Sequence, residues 1–510
     1  MSGVYGREHV ALLTAAEAAA LDRTARDGGI PERALMENAG RAAALVIDRL
    51  HPHGRIVAVV GSGNNGGDAI VALRSLHDWG RDVAYLPVGS SDPDPSLFNG
   101  VALTRLEPDD AAAFAGAAVL VDGILGTGAS GEPREPAATA VRAMNASGRP
   151  VIALDIPTGV DPTTGQVPGL AVEAAATIMF GWPKSGALFQ PGRERCGRLL
   201  AVEIGFPPLD ADPASAALIT PAWARARLPA RRPDDHKNSV GRVAIVAGRR
   251  GMAGAAAIAG SSAMRAGAGY ARIVSDEANR VIVQGAVPEA LFVDRADPAA
   301  VTEAVEESDA VLVGPAIGTD ADGRRLLDAV LGARGDRGLV VDADALTLLA
   351  GEAALETLGE RTVLTPHPGE MARLVDRSVA GIRADPMDAA RSLAERTGAT
   401  VLLKGAPSVV AAPGRAVLVS SVGSSDLATA AMGDQLGAET ATFLAAGADP
   451  ADAAGLGLFY GGRAAELAGR GRSLTPRDIA DRLHEAFRSP GPDRSDLGLP
   501  FVVFDQPPRW

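Results

Sequence analysis

Arg55-Ile56-Val57-Ala58-Val59-Val60 followed by Gly61-Ser62-Gly63-Asn64-Asn65-Gly66-Gly67-Asp68 decides how the first half of this 510-residue chain is read. The apolar, largely β-branched run describes a strand, and residues 69–79 read as a helix. Glycines between a strand and a helix let backbone N–H groups approach an anion at the helix start. Two asparagines and an aspartate add fixed side-chain ligands. A plain glycine-rich turn would explain the glycines but not Asn-Asn-Gly-Gly-Asp in series, so a binding loop is the better reading.

Outward from this stretch, strand-like runs recur at residues 83–88, 118–121 and 151–154, separated by helix-length segments. That is the pattern of a parallel α/β sheet. Upstream, Thr14-Ala15-Ala16-Glu17 forms a capping box, and Leu35-Met36-Glu37-Asn38-Ala39-Gly40 sits in a second helix whose Leu35 and Met36 read as core. Ligands of such sheets collect beyond the carboxyl ends of strands. There the chain carries Asp122-Gly123-Ile124-Leu125-Gly126-Thr127-Gly128 and Asp155-Ile156-Pro157-Thr158-Gly159-Val160-Asp161. Asn65, Asp122 and Thr158 thus offer oxygen ligands on one rim, a set suited to a hard monovalent cation rather than zinc. Alternatively, Asp122 and Asp155 each cap a following helix.

The bulk numbers bound the function. A chain of 510 residues exceeds one core, so two large domains are expected. Lys+Arg of 49 against Asp+Glu of 62 gives −13, which disfavours nucleic acid and anionic membranes as partners. The one cysteine, Cys196, excludes a disulfide within the chain and a multi-cysteine metal site, and suits a reducing cytoplasm. No apolar run spans a bilayer, so the expected location is cytoplasmic.

Between Pro207 and Pro233 the sequence turns rich in proline and alanine, which places a boundary near residues 215–220. Beyond it Gly241-Arg242-Val243-Ala244-Ile245-Val246-Ala247-Gly248 opens a second parallel sheet, with strands at residues 311–313, 339–341, 362–364 and 401–403. Residues 407–412 and 416–420 flank Pro413-Gly414 as a hairpin. Four features follow the strands. Gly248-Arg249-Arg250-Gly251-Met252-Ala253-Gly254-Ala255-Ala256 is a glycine-rich helix entry, open either to a nucleotide or to close packing. Thr365-Pro366-His367-Pro368-Gly369-Glu370 holds a histidine in a rigid turn. Leu403-Lys404-Gly405-Ala406-Pro407-Ser408 sets a lysine at a strand end, where it meets solvent or a phosphate. Last, Met432-Gly433-Asp434 leads into a long apolar helix.

The first half, over residues 10–215, resembles the NAD(P)H-hydrate epimerase domain of the YjeF N-terminal family, through Leu-Met-Glu-Asn-Ala-Gly, Asn-Asn-Gly-Gly-Asp, Asp-Gly-Ile-Leu-Gly-Thr-Gly and Asp-Ile-Pro-Thr-Gly-Val-Asp in order. The resemblance implies a Rossmann-like three-layer αβα sandwich. It implies that Asn64, Asn65, Gly66, Gly67, Asp68, Gly126, Thr127, Gly128, Ala129, Ser130, Gly131, Glu132 and Asp155 line the hydrated nucleotide, with potassium at Asn65, Asp122 and Thr158. Asp155 is the candidate for proton transfer at C6. Residues 219–490 resemble the YjeF C-terminal family, the ADP/ATP-dependent NAD(P)H-hydrate dehydratases, with a ribokinase-like α/β fold. By that resemblance Ala255, Gly318, His367 and Asp434 contact the hydrate, while Lys404, Gly405, Ala406, Pro407, Ser408 and Gly433 hold the adenine nucleotide, with ADP and Mg²⁺ as the expected cofactors. In ribokinase-like folds the amides at this helix start hold the transferring phosphoryl group and the aspartate, here Asp434, takes the acceptor's proton. The implied activity is repair: epimerisation of R and S hydrates, then dehydration of the S form. A small-molecule substrate and a homo-oligomer are expected.

The chain departs from the family at its last loop, where Ser424-Ser425-Asp426-Leu427-Ala428-Thr429-Ala430-Ala431-Met432-Gly433-Asp434 has Ala431 for a glycine, Met432 for a hydroxyl residue and an added Asp426. The departure leaves two alternatives open: a ribokinase-like small-molecule kinase with an accessory domain, or a nucleotide-binding protein with a degenerate dehydratase site.

Overall fold

The computed structural model describes residues 3–107, 114, 116–208 and 215–508; part of the proline- and alanine-rich junction, residues 209–214, lies outside them. The chain divides into two compact units, Met1–Ala217 with Gly491–Trp510, and Leu218–Pro490. Residues 491–510 therefore rejoin the first unit, beyond the 10–215 span that the sequence suggests.

The first unit is built on a nine-stranded sheet. From one edge the strands run Tyr5–Gly6, Val502–Gln506, Arg198–Val202, Ala176–Phe180, Val151–Leu154, Ala117–Gly123, Arg55–Val60, Val83–Pro87 and Thr104–Arg105. The first two are antiparallel to their neighbours and the rest are parallel. Alternation along the opening strand separates two cores. Ile56, Ala58 and Val60 pack with Val46 and Ile47 of helix Glu32–Leu50 and with Ile70 and Leu73 of helix Asn64–Asp78. Val57 and Val59 pack on the other face with Val141 and Met144 of helix Ala137–Ala146. The result is a three-layer αβα sandwich. The N-terminal helix, Ala15–Asp27, carries the capping box, Thr14 and Glu17 each bonding the other's backbone N–H.

The helix after the opening strand starts at Asn64, not at residue 69, so both asparagines lie in its first turn. Asparagine, two glycines and aspartate in succession carry loop propensity, and the close approach of this helix to its neighbours overrides it. The strands at 176–180, 198–202 and 502–506 were not anticipated from the sequence.

The second unit's sheet runs Leu291–Asp294, Tyr270–Ser275, Arg242–Val246, Ala310–Val313, Gly338–Val341, Thr362–Leu364 and Thr400–Leu403, all parallel, then Val409–Ala411 and Val417–Ser420 as an antiparallel hairpin. Val311, Leu312 and Val313 are each fully buried, so both faces of the central strands are covered. Gly437 of helix Met432–Ala445 lies over Leu312, and Leu444 lies over Gly338.

Each sheet has one point where the strand order reverses. In the first unit it lies between Arg55–Val60 and Ala117–Gly123; in the second, between Arg242–Val246 and Ala310–Val313. A crevice opens outside the strand ends at such a point.

Candidate active sites

At the first switch point a cavity of about 920 Å³ is lined by Asn64, Asn65, Asp68, all of Gly126 to Glu132, Asp155 and Lys184, among others. Gly66 and Gly67, also expected at the ligand, are not among its lining residues. A Cβ on Gly66 would stand 2.0 Å from the Gly61 carbonyl oxygen, and one on Gly67 would stand 2.6 Å from Met36 Sδ. These two glycines serve close packing of the helix. Asn64 is exposed and its amide donates to Glu32 Oε1 at 2.6 Å.

Asp155 follows its strand with φ +64°, a left-handed conformation that costs a non-glycine residue about 1 kcal/mol or more. That backbone aims its carboxylate at two partners. Oδ2 accepts from the Thr127 amide at 3.0 Å and from the Thr127 hydroxyl. Oδ1 lies 2.7 Å from Lys184 Nζ, which also donates to the Phe180 carbonyl at 2.7 Å. Burial works to raise the Asp155 pKa, but the Lys184 ammonium and the Thr127 bonds outweigh it and hold the carboxyl below its usual range. Asp68 is shifted the other way. Burial and the nearby Asp155 and Asp22 charges push it well above the ordinary carboxylate range, with Lys184 opposing them. The cavity thus brings together two carboxyls whose pKa values are pushed apart, Asp155 down and Asp68 up, a pattern that marks acid–base sites.

Beside this pair, Asp122 is fully buried. Its carboxylate accepts from the Thr158 amide and hydroxyl, both at 2.8 Å, and from the Ile124 amide at 3.2 Å. Burial pushes its pKa up to about 6 against those bonds, and among the described residues no cation pairs with it. Asn65 donates through Nδ2 to the Leu125 carbonyl at 3.0 Å, whereas its buried Oδ1 has no partner. The Thr158 hydroxyl accepts from the Leu125 amide at 3.1 Å. An orphaned amide oxygen and a buried carboxylate lacking a counter-charge, all oxygen donors around Leu125, fit a monovalent cation. No cluster of three His, Cys, Asp or Glu side chains able to hold a metal occurs among the described residues.

In the second unit the helix Met432–Ala445 begins after Ala431, whose φ is +65°. The left-handed conformation that glycine favours is therefore kept by an alanine. The N-cap position, an alanine, offers no side-chain bond to the first-turn amides. Gly433 sits against Lys404 and Asp342: a Cβ there would lie 3.2 Å from Lys404 Nζ and 3.3 Å from Asp342 Oδ2. Lys404 Nζ donates to buried Asp342 at 2.7 Å. Burial and the Asp342 charge raise the Asp434 pKa to about 7, with Lys404 opposing them. Asp426 is tied into its own turn, its amide and carboxylate both bonded to the Ser424 hydroxyl at 3.2 and 3.1 Å.

The other expected residues are placed as follows. Gly318 has φ +94° and its amide donates to Asp344 Oδ2 at 2.8 Å. His367 caps helix Pro368–Val375, its Nδ1 accepting the amides of Gly369 and Glu370 at 2.9 and 3.2 Å. Ala255 is half-buried in the first turns of helix Ala253–Ala266. Within Lys404 to Ser408, the Ser408 hydroxyl closes a turn with Gly405, accepting its amide and donating to its carbonyl, both at 3.1 Å.

Sequence reasoning missed Lys184, Asp342 and Asp344 as site residues. A buried lysine leaves no local mark, because lysines ordinarily read as solvated. Asp342 and Asp344 did carry a signal, standing directly after a strand end.

Comparison with known proteins agrees with this division. The family model for YjeF-related protein N-terminus matches residues 32–186, and that for NAD(P)H-hydrate dehydratase matches residues 243–485. The bifunctional NAD(P)H-hydrate repair enzyme of Salinibacter ruber is 36% identical over 92% of this chain and 95% of its own length. That of Pyrobaculum aerophilum is 34% identical over 93% and 98%. A ribokinase-like superfamily protein from Enterococcus faecalis V583 shares the second unit's fold, with a TM-score of 0.50 and 24% identity over 56% of this chain and 99% of its own. No described helix is long and apolar enough to cross a membrane. The chain belongs to the family of bifunctional NAD(P)H-hydrate repair enzymes, with an epimerase half followed by a dehydratase half.

Proposed function

We propose that the first unit interconverts the C6 epimers of hydrated NADH or NADPH in the 920 Å³ cavity, with Asp155 as the proton acceptor. The observation that carries this is the Lys184–Asp155 pair at 2.7 Å, which keeps a buried carboxylate ionised where a substrate proton must go. Asp68, whose pKa burial and the neighbouring Asp155 and Asp22 charges push upward, is the matching donor. Asn65, Asp122 and Thr158 would hold potassium, which supplies a fixed positive charge beside the ring-binding loop.

The second unit acts on the S epimer. The C6 hydroxyl oxygen attacks the terminal phosphorus of ADP or ATP, the bond to the leaving nucleotide breaks, and Asp434 takes the hydroxyl proton. Asp434 suits that role because its pKa of about 7 lies near neutral pH. The amides of the Met432–Ala445 helix start face the phosphoryl group, and Lys404 offers a point charge beside Gly433. Phosphate then leaves C6 as a proton leaves C5, restoring the ring double bond. Mg²⁺ would accompany the nucleotide and offset its phosphate charge.

Mixed R and S hydrates incubated with the full chain, ADP and Mg²⁺ should regain the full reduced-nicotinamide absorbance. Epimerisation without any recovery of absorbance would refute the dehydratase reading.

A further inference from the structure

A second cavity, of about 420 Å³, opens at the switch point of the second unit and is lined by Arg249, Arg250, Asp276, Arg295, Ile317 and Asp320, among others. None of these residues has a role in the phosphoryl transfer just described. The loops that carry the arginines are fixed. Gly248 and Arg249 donate their amides to the Pro315 and Ala316 carbonyls at 2.9 and 2.7 Å. Buried Asn279 donates to the carbonyls of Gly248 and Arg249 at 3.1 and 3.0 Å. Arg295 Nη2 donates to the Ile317 carbonyl at 3.1 Å, joining the strand-end loops across the crevice.

The charges around this cavity are unequal in availability. Asp320 caps its helix through the Gly323 amide at 3.0 Å, and Asp322 is paired with Arg325. Asp276 accepts the Ala278 amide at 3.0 Å and lies 3.6 Å from Arg250 Nε. Among the described residues, by contrast, neither Arg249 nor Arg295 has a carboxylate within 4.0 Å, and Arg295 commits only one donor. Two guanidinium groups with free donors, carried on fixed loops at a crevice and opposed by the single charge of Asp320, form a candidate anion site, and the fork geometry selects phosphate or carboxylate.

The cavity and the reaction centre share a neighbour. Gly318 stands between them: a Cβ there would lie 3.3 Å from Asp320 Oδ1 and 3.6 Å from Arg249 Cδ, while its amide bonds Asp344, whose charge acts on Asp434. A dinucleotide with its nicotinamide ring at Asp434 has its phosphate-bearing adenosine end free to extend past Gly318. We propose that Arg249 and Arg295 bind a phosphate of that end of the hydrated dinucleotide, making this cavity the determinant of substrate affinity in the dehydratase half. The inference rests on the dehydratase reading above. The nucleotide donor carries the same phosphate chemistry, and the experiment separates the two.

Steady-state kinetics of the full chain and its Arg249→Ala and Arg249→Lys variants provide the test, with the second unit's melting transition as folding control. For Arg249→Ala, KM for hydrated NADPH should rise at least about tenfold, the loss expected for one charged hydrogen-bonding partner, while kcat moves less than about threefold. Arg249→Lys should recover part of the loss. KM for ADP should stay within about twofold, and hydrated nicotinamide mononucleotide, which lacks the adenosine end, should show no further penalty from the substitution. An unchanged KM for the hydrated dinucleotide overturns the proposal, and a raised KM for ADP alone assigns the cavity to the donor and overturns it as well. Should the wild type fail to dehydrate at all, the dehydratase reading falls, and calorimetry with 2′-phospho-ADP-ribose decides the cavity. Binding weakened about tenfold by Arg249→Ala sustains the anion site. Equal binding, or none by the wild type, overturns it.

Discussion

Each unit sets one lysine ammonium 2.7 Å from an aspartate at the end of a central strand, Lys184 on Asp155 and Lys404 on Asp342. The chemistry that follows is opposite. In the first unit the paired aspartate is itself the cavity group, so the lysine holds the reactive carboxyl below its usual pKa. In the second the lysine is taken up by Asp342, and Asp434 beside it is pushed up to about 7 by burial and by that same Asp342. One ion pair thus holds its own carboxyl low, while the other stands beside a carboxyl pushed up toward neutrality. What a buried ion pair does for a site depends on whether the reacting group is inside the pair or next to it.

The largest expected effect separates the units. Ending the chain at Pro490 removes Val502, Val503 and Phe504, all fully buried in the first unit, worth together about 5 kcal/mol or more, comparable to a domain's whole stability. Epimerase activity and its share of the unfolding signal should vanish while ADP-dependent dehydration of purified S hydrate persists. Next, Asp434→Asn should lower dehydration by about 10²–10⁴ and leave the epimerisation rate within twofold of the starting value, read by chromatography of the two epimers. Lys184→Met should cost about 3–5 kcal/mol by leaving Asp155 buried and unpaired, and should raise the midpoint of the epimerase's acid limb. Lys404→Met should destabilise comparably without touching the epimerase profile; equal profile shifts in both halves would break the comparison.

The pH profiles sharpen it further. A proton acceptor works only when ionised, so the dehydratase rate should fall tenfold per pH unit below about 7 and level above it. Asp155, held low by Lys184, should leave the epimerase without an acid limb near neutral pH, whereas the proton that Asp68 must hold should make its rate fall on the alkaline side. The smallest effect is expected for Ala431→Gly, which relieves a left-handed alanine at φ +65° and should stabilise the second unit by about 0.5–1 kcal/mol, seen as a slightly higher second melting transition.

Much of both sites was legible because it is local. A β-branched run ending in glycine declares a strand and its carboxyl end within a few residues, so Asn65, Asp122, Asp155 and Thr158 could be placed on rims before any fold was known, while Gly318 came only with the family resemblance. The glycine-like backbone at Ala431 was equally readable from its position before Gly433-Asp434. What escaped is what depends on distant partners. Lys184 becomes a site residue only through Asp155, 29 positions earlier in the chain. The start of the helix at Asn64 is set by packing against Met36 and Gly61, which overrides the loop propensity of its first residues. The arginines after Gly248 stood in a glycine-rich helix entry open to a nucleotide or to close packing, and only the crossing loops from Pro315 to Ile317 make them the wall of a cavity.

The strand Val502–Gln506 carries one more consequence. It lies between Tyr5–Gly6 and Arg198–Val202, where Arg198 grips Asp505 through two bonds of 2.8 and 2.6 Å. The second unit is thus, in chain order, an insertion within the first. A ribosome that has delivered residue 217 has not delivered a complete epimerase, and the sheet made first is the one finished last. The dehydratase unit, contiguous from Leu218 to Pro490, has all its strands in hand before synthesis ends. Repair capacity in the two halves is therefore tied at birth: a product truncated between residues 490 and 501 carries the whole dehydratase unit but lacks the strand that completes the first sheet.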